Sequence, residues 1–217
     1  LNATRKNEMI GEASLIRALN HFQAVQLWGD CPIAKEAIFS ISSANFDEAF
    51  NALFPARKPI VEVYAQIIAD CQVAIQKAPD ASNKFKANKM AANALLAKVY
   101  ATMPNPDWTK VNQYCDIVIG GGYTLLPTFD HLFDNAHEGN SESIWEINGD
   151  GWGSPIGAWN TFMFLGTDWK KFNAPSHTLV KAYANNNDKQ RVASTITRAN
   201  VGWADTYWSS TNYPFCY

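Results

Sequence analysis

Ala91-Ala92-Asn93-Ala94-Leu95-Leu96-Ala97-Lys98-Val99-Tyr100 is the stretch on which the fold turns. It sits inside a predicted helix, Lys86 to Met103, in which Ala91, Ala92, Ala94 and Ala97 are interleaved with Leu95, Leu96, Val99 and Tyr100. A helix with so many small side chains on its face lets a neighbouring helix come close, because interaxial distance follows the size of the residues in contact. Pro104-Asn105-Pro106 ends it. The next helix is predicted to begin at Asp107 as its N-cap and to run through Val111, Tyr114, Cys115 and Val118 to Gly120-Gly121-Gly122.

Working back from that stretch, Ile60 to Lys77 places Tyr64, Ile68, Cys71 and Ile75 at helical spacing, and Pro79 closes the run. Asn7 to Trp28 does the same with Leu15, Ala18, Leu19, Phe22 and Val25 before Gly29-Asp30 and Pro32. Phe46 to Phe54, after the polar stretch Ser40 to Asn45, reads as a short helix. Laying Ala13 on Ala92 also lays Ile16 on Leu95, Ala18 on Ala97 and His21 on Tyr100, and laying Cys71 on Cys115 lays Ile67 on Val111 and Ala74 on Val118. Two helical hairpins with small-residue seams are therefore expected, a degenerate repeat of tetratricopeptide-like type. The fold class is mainly α, with an irregular, aromatic-rich region that contains short strands.

That region begins after Gly122. Tyr123 to Pro127 reads as extended, Phe129 to Asn135 as a turn of helix, Ser143 to Asn148 as a strand, and Thr178 to Asn185 as a helix, with the remainder to Tyr217 irregular or extended. Between Gly149 and Asn173 neither period holds, and Gly149, Gly151, Gly153, Gly157 and Gly166 interrupt Trp152, Trp159, Phe162, Phe164 and Trp169. Large aromatic faces on glycine-rich backbone are costly unless they are packed or meet a ligand. Sugar rings offer apolar C–H faces to indole, and Asn and Asp side chains take their hydroxyls. The competing reading is that these rings cap the helical core. The chain is accordingly divided into a helical repeat part, 7–122, and a loop-rich ligand-binding part, 123–217, of one domain incomplete at both ends.

Composition closes off several function classes. In 217 residues, 18 Lys and Arg face 20 Asp and Glu, a net charge of −2, so there is no positive field to hold nucleic acid or an anionic bilayer. No run of about 18 apolar residues is present to span a membrane. The first seven residues are polar and mixed, unlike a signal peptide, so any export signal or lipid anchor is expected outside this stretch. Cys31, Cys71, Cys115 and Cys216 show no metal or redox spacing and read as small hydrophobes. His21, His131, His137 and His177 contain no pair at the helical spacing of a metal site, so no metal ligand is assigned. Gly149 to Gly153 fits neither a P-loop nor a dinucleotide fingerprint, and Asn148 with Asp150 does not complete a calcium loop, which leaves room only for a Ca2+ ion elsewhere. No cofactor is implied. Glu142 and Glu146 on a strand would stand about 13 Å apart, beyond either glycosidase separation, so no catalytic residue is assigned and a glycoside hydrolase is the weakest of the alternatives.

Gly11-Glu12-Ala13, Leu15-Ile16-Arg17-Ala18, Phe22 and Leu27-Trp28-Gly29-Asp30-Cys31-Pro32 resemble the first repeat helix and its ending in the SusD/RagB family, nutrient-binding outer-membrane lipoproteins of Bacteroidetes. The resemblance continues through Tyr64, Ile67 and Asp70, Ala91-Ala92, Leu95 to Tyr100, Gly122-Tyr123-Thr124-Leu125, Asn140, Glu142 to Ile147, Pro175-Ser176, Leu179-Val180, Ala182-Tyr183 and Asp188 to Arg191. Departures are Asn83-Lys84-Phe85-Lys86 where the family often has a Gly-Arg pair, and the single Arg191 where two arginines are usual. The resemblance implies a surface-exposed, lipid-anchored outer-membrane protein of polysaccharide utilisation that is not an enzyme. In that family a tetratricopeptide-like scaffold docks on a SusC-like TonB-dependent transporter and an irregular face holds an oligosaccharide or other nutrient. It implies Trp152, Trp159, Trp169 and Trp203 as stacking candidates and Asn160, Asp168 and Tyr207 as hydroxyl partners. The alternative is a helical-repeat scaffold that binds protein and has no ligand site.

Overall fold

A computed structural model describes residues 2–35, 40–134, 136–149, 175–197 and 215–216. The backbone contacts divide the chain into two compact units, one formed by 1–125 with 141–146 and the other by 126–140 with 147–217. The first unit takes in Tyr123 to Leu125 and Ser141 to Glu146, which the sequence reading places in the loop-rich part.

In the first unit the helices are α1 (Ala3–Trp28), α2 (Phe46–Leu53), α3 (Ile60–Lys77), α4 (Lys89–Thr102) and α5 (Trp108–Ile119). α1 lies along α3, α3 along α4, and α4 along α5, so two antiparallel hairpins stack as the repeat pattern predicts. Leu15, Val63, Ile67, Cys71, Leu96 and Val99 are fully shielded and form the core. Small residues do what their placement implies: Ala18, Ala74 and Ala92 are wholly buried. At Gly11 even one methyl group is excluded, because a Cβ there would sit 2.1 Å from the Ala78 backbone nitrogen at the end of α3. The Tyr100 and Tyr114 rings stack at 5.8 Å between α4 and α5.

A charge pair between the half-buried Arg17 and the buried Asp70 ties α1 to α3. Arg17 donates from Nε to Asp70 Oδ2 at 2.8 Å and from Nη2 to Oδ1 at 2.6 Å, and Gln66 Nε2 adds a third bond at 2.9 Å. Asp70 is 2% exposed, so its charge is met by protein donors rather than water. The Asp70 hydrogen bonds raise the Arg17 guanidinium above its ordinary value. Beside them the His21 Nδ1 is buried with no partner among the described residues, and burial pushes that imidazole below its ordinary value.

Helix ends differ from the periodic reading where side chains cap the backbone. α1 begins four residues earlier than Asn7, because Asn2 Oδ1 accepts the Arg5 N–H at 2.8 Å and Arg5 then pairs with Glu8 and Glu12 along the same face. α4 begins at Lys89 and not at Lys86, because the wholly buried Asn88 accepts the Ala91 N–H at 2.9 Å. α5 is capped by Asp107 as expected. Gly29 ends α1 with φ 68°, a left-handed conformation that favours glycine.

The expected strand at Ser143 to Asn148 does not form. In this segment the Glu146 N–H donates to the Lys84 C=O at 2.8 Å, in the turn before α4, and among the described residues no ladder forms. The carboxylate separation argued from strand geometry for Glu142 and Glu146 falls with it.

The described part of the second unit contains a 3₁₀ turn (Phe129–Leu132), α6 (His177–Asn185), α7 (Lys189–Thr195) and an antiparallel pair of two-residue strands, β1 (Ile196–Thr197) and β2 (Phe215–Cys216). α7 corrects the irregular reading after Asn187. Asn187 takes φ 51° to turn the chain, and Asp188 accepts the Arg191 N–H to open a new helix. Among the described residues no helix is long and apolar enough to cross a membrane.

Candidate functional site

Trp152, Trp159, Asn160, Asp168, Trp169, Trp203 and Tyr207 all lie outside the described residues. Of the remaining tryptophans, Trp28 at the end of α1 and Trp108 at the start of α5 are about two-thirds exposed, at 64% and 63%, and Trp145 is half-buried.

Trp145 lines an apolar cleft of about 440 Å3 along α1 and α4. Its floor is Leu15, Leu19, Phe22 and Leu95, and Gln23, Gln26 and Lys98 supply polar groups. The sequence reading treats Trp145 as part of a strand and misses it as a site residue. What places it is Asn88: the amide Nδ2 donates to the Lys86 and Ile144 carbonyls at 3.1 and 3.0 Å while its Oδ1 caps α4. With Glu146 N–H bonded to Lys84, the backbone on both sides of Trp145 is pinned to the helical unit. An indole beside amide and ammonium donors is a surface able to take the apolar face of a sugar ring and hold its hydroxyls.

The second unit gathers His131, Asp134 and His137, with one ligating atom of each within 4.8 Å of the others. The imidazoles stack, with centroids 3.7 Å apart and planes 9° from parallel. Asp134 contacts His137 Nδ1 at 2.7 Å through Oδ1 and at 2.9 Å through Oδ2. That bond to His137 holds the Asp134 carboxyl below its ordinary value. Searching histidines only at helical spacing overlooks this group. The usable signal is His-x-x-Asp-x-x-His across a turn.

The cysteines behave as small hydrophobes where they are described. Cys31 and Cys71 are buried free thiols, and burial pushes the Cys71 thiol up to about 12, where it is no nucleophile at neutral pH.

Residues 1–101, which carry α1 to nearly all of α4, match the family model SusD-like_3, described as starch-binding and associating with the outer membrane. The chain is thus similar to SusD-like proteins over its helical part. It is 32% identical over 148 residues to SusD-like protein P2 of Formosa agariphila, an alignment that covers 65% of this chain and 27% of that protein. It is 27% identical over 164 residues to a SusD-like protein of Bacteroides ovatus, covering 71% of this chain and 28% of the relative. The SusD-like fold is shared with the solved structure of a laminarin-binding SusD-like protein, at TM-score 0.71 and 21% identity, over 100% of this chain and 52% of that one. The chain spans about a quarter of the length of the curated relatives it matches.

Proposed function

We propose that this chain belongs to a non-catalytic, surface-exposed glycan-binding protein that passes oligosaccharide to a SusC-like TonB-dependent transporter and is held at the outer membrane by a lipid anchor outside the stretch. The observation that carries the reading is the match of residues 1–101 to a family described as starch-binding and associating with the outer membrane. A second support is the fold shared with a protein named for laminarin binding. In this proposal Trp152, Trp159, Trp169 and Trp203 stack on sugar rings and Asn160, Asp168 and Tyr207 bond their hydroxyls, while the helical hairpins serve as scaffold. The test is calorimetry of the full-length protein with laminarin, xyloglucan and starch oligosaccharides, with each of the four tryptophans replaced by Ala. At least one replacement is expected to weaken binding about tenfold, a loss of ~1.4 kcal/mol. Unchanged affinity in all four removes the site. Release of shorter sugars during incubation removes the non-catalytic reading.

A scaffold that binds protein is favoured by one feature, the row of phenyl rings on and after α2. Phe46, Phe50 and Phe54 are all at least half exposed, with centroids 6.1 and 4.8 Å apart in succession. In the proposed function this row is a contact for the transporter, and Phe50→Asp is expected to abolish co-purification with it while leaving glycan affinity unchanged.

A further inference from the structure

The loop that carries the 3₁₀ turn of the second unit is folded back on itself by its own polar side chains. Asp134 Oδ1 accepts the backbone N–H groups of Ala136 and His137, each at 3.0 Å, which reverses the chain after the turn. Asn140 Nδ2 donates to the His137 carbonyl at 2.9 Å and fixes the returning strand of the loop. The Phe129 and Phe133 rings meet edge to face at 5.2 Å and brace the turn. His137 is thereby laid over His131, with Asp134 against its Nδ1.

We propose that His131, Asp134 and His137 form a binding site for one divalent transition-metal ion, with Zn2+ the best match. This inference is independent of the glycan reading. Two imidazole nitrogens and a carboxylate oxygen are a donor set that selects zinc, cobalt, nickel or copper over calcium and magnesium, which prefer oxygen alone. Metal–ligand bonds of about 2.0–2.2 Å in a tetrahedron put ligands roughly 3.3 Å apart. The present spacing is within 4.8 Å, and because each nitrogen lone pair lies in its ring plane, binding one ion also rotates the stacked imidazoles until both planes meet at the metal. His131 and His137 are half-exposed and Asp134 is exposed, so the remaining coordination positions belong to water and the ion exchanges. Bound there, the ion replaces the direct contact between Asp134 and His137 and locks the reversal of the loop.

The experiment is titration of the chelator-treated full-length protein with Zn2+ by calorimetry and with Co2+ by visible absorption. One ion per chain is expected, with the absorption of four- or five-coordinate Co2+, and no competing uptake of Ca2+. His131→Ala, Asp134→Asn and His137→Ala are each expected to weaken Zn2+ binding at least tenfold, whereas His21→Ala and His177→Ala leave it unchanged. His137→Gln separates a metal role from a structural one, since its amide can still donate to Asp134 but is a poor zinc ligand. Loss of Zn2+ binding in that variant, with an unchanged circular-dichroism spectrum, supports the site. Binding that survives His131→Ala and His137→Gln, or that falls equally in His177→Ala, overturns it.

Discussion

In the helical unit Leu15, Val63, Ile67, Leu96 and Val99 lose nearly all contact with water, whereas among the described residues of the second unit Ile196 alone is buried. Order in the described part of that second unit comes from short-range polar bonds. Ser176 accepts the Leu179 N–H, Asp188 accepts the Arg191 N–H, and Asn186 and Ser194 donate to carbonyls one turn back. Each such bond contributes on the order of 1 kcal/mol, while a buried leucine contributes several times that through area and packing. The contrast suits a scaffold and a loop-rich part with different tasks: the hairpins keep their shape, and loops held by local bonds can be reset by a ligand.

That contrast can be broken by four substitutions, read as shifts in unfolding free energy by denaturant titration. Leu96→Ala removes a wholly buried side chain of α4 from the helical core and is expected to cost about 3–4 kcal/mol, the largest effect. Arg17→Met strips Asp70 of its two guanidinium bonds while Gln66 remains, so a loss of about 2–3 kcal/mol is expected. Caps sharpen the comparison, because the same chemistry stands in both units. Asn88→Ala loses a cap and the tie to Ile144 and should cost about 2 kcal/mol, whereas Asp188→Ala loses only an exposed cap and should cost about 1 kcal/mol or less. If the two cap variants are equally destabilised, tertiary burial is not what distinguishes the units. The smallest effect is on pH dependence. Burial holds the folded His21 imidazole below the ordinary value of 6.5, so the unfolded chain binds more protons as pH falls through 6.5 and stability declines with it. His21→Gln should flatten that decline in melting temperature, and identical slopes would show that His21 is not its source.

The seam at Ala91 to Tyr100 and the hairpin pairing were legible because apolar period, small residues and proline or glycine stops are all written within a few turns of chain. The strand expected at Ser143 to Asn148 failed for the opposite reason: Ile144 and Trp145 are apolar because they pack on the helical core, and alternation could not say that no partner strand faces them. α7 was missed because a helix of seven residues, with a polar sequence and an Asp cap, shows almost no period. The seven glycan candidates lie outside the described residues and stand as proposals. The residues that the fold does bring together are Trp145 in one unit and the two histidines with Asp134 in the other, whose three-residue spacing lies across a turn and not along a helix face.

Sequence alone settled the long helices of the first unit, their order and their pairing, since an amphipathic stripe and its stops are local properties of the chain. Tertiary structure decided where α4 begins, what holds Trp145 against the hairpins, and which histidines meet. Each of those depends on a polar side chain reaching backbone across a turn or from a distant segment, as Asn88 reaches Ile144 and Asp134 reaches His137, and a bond of that kind leaves no repeat to read.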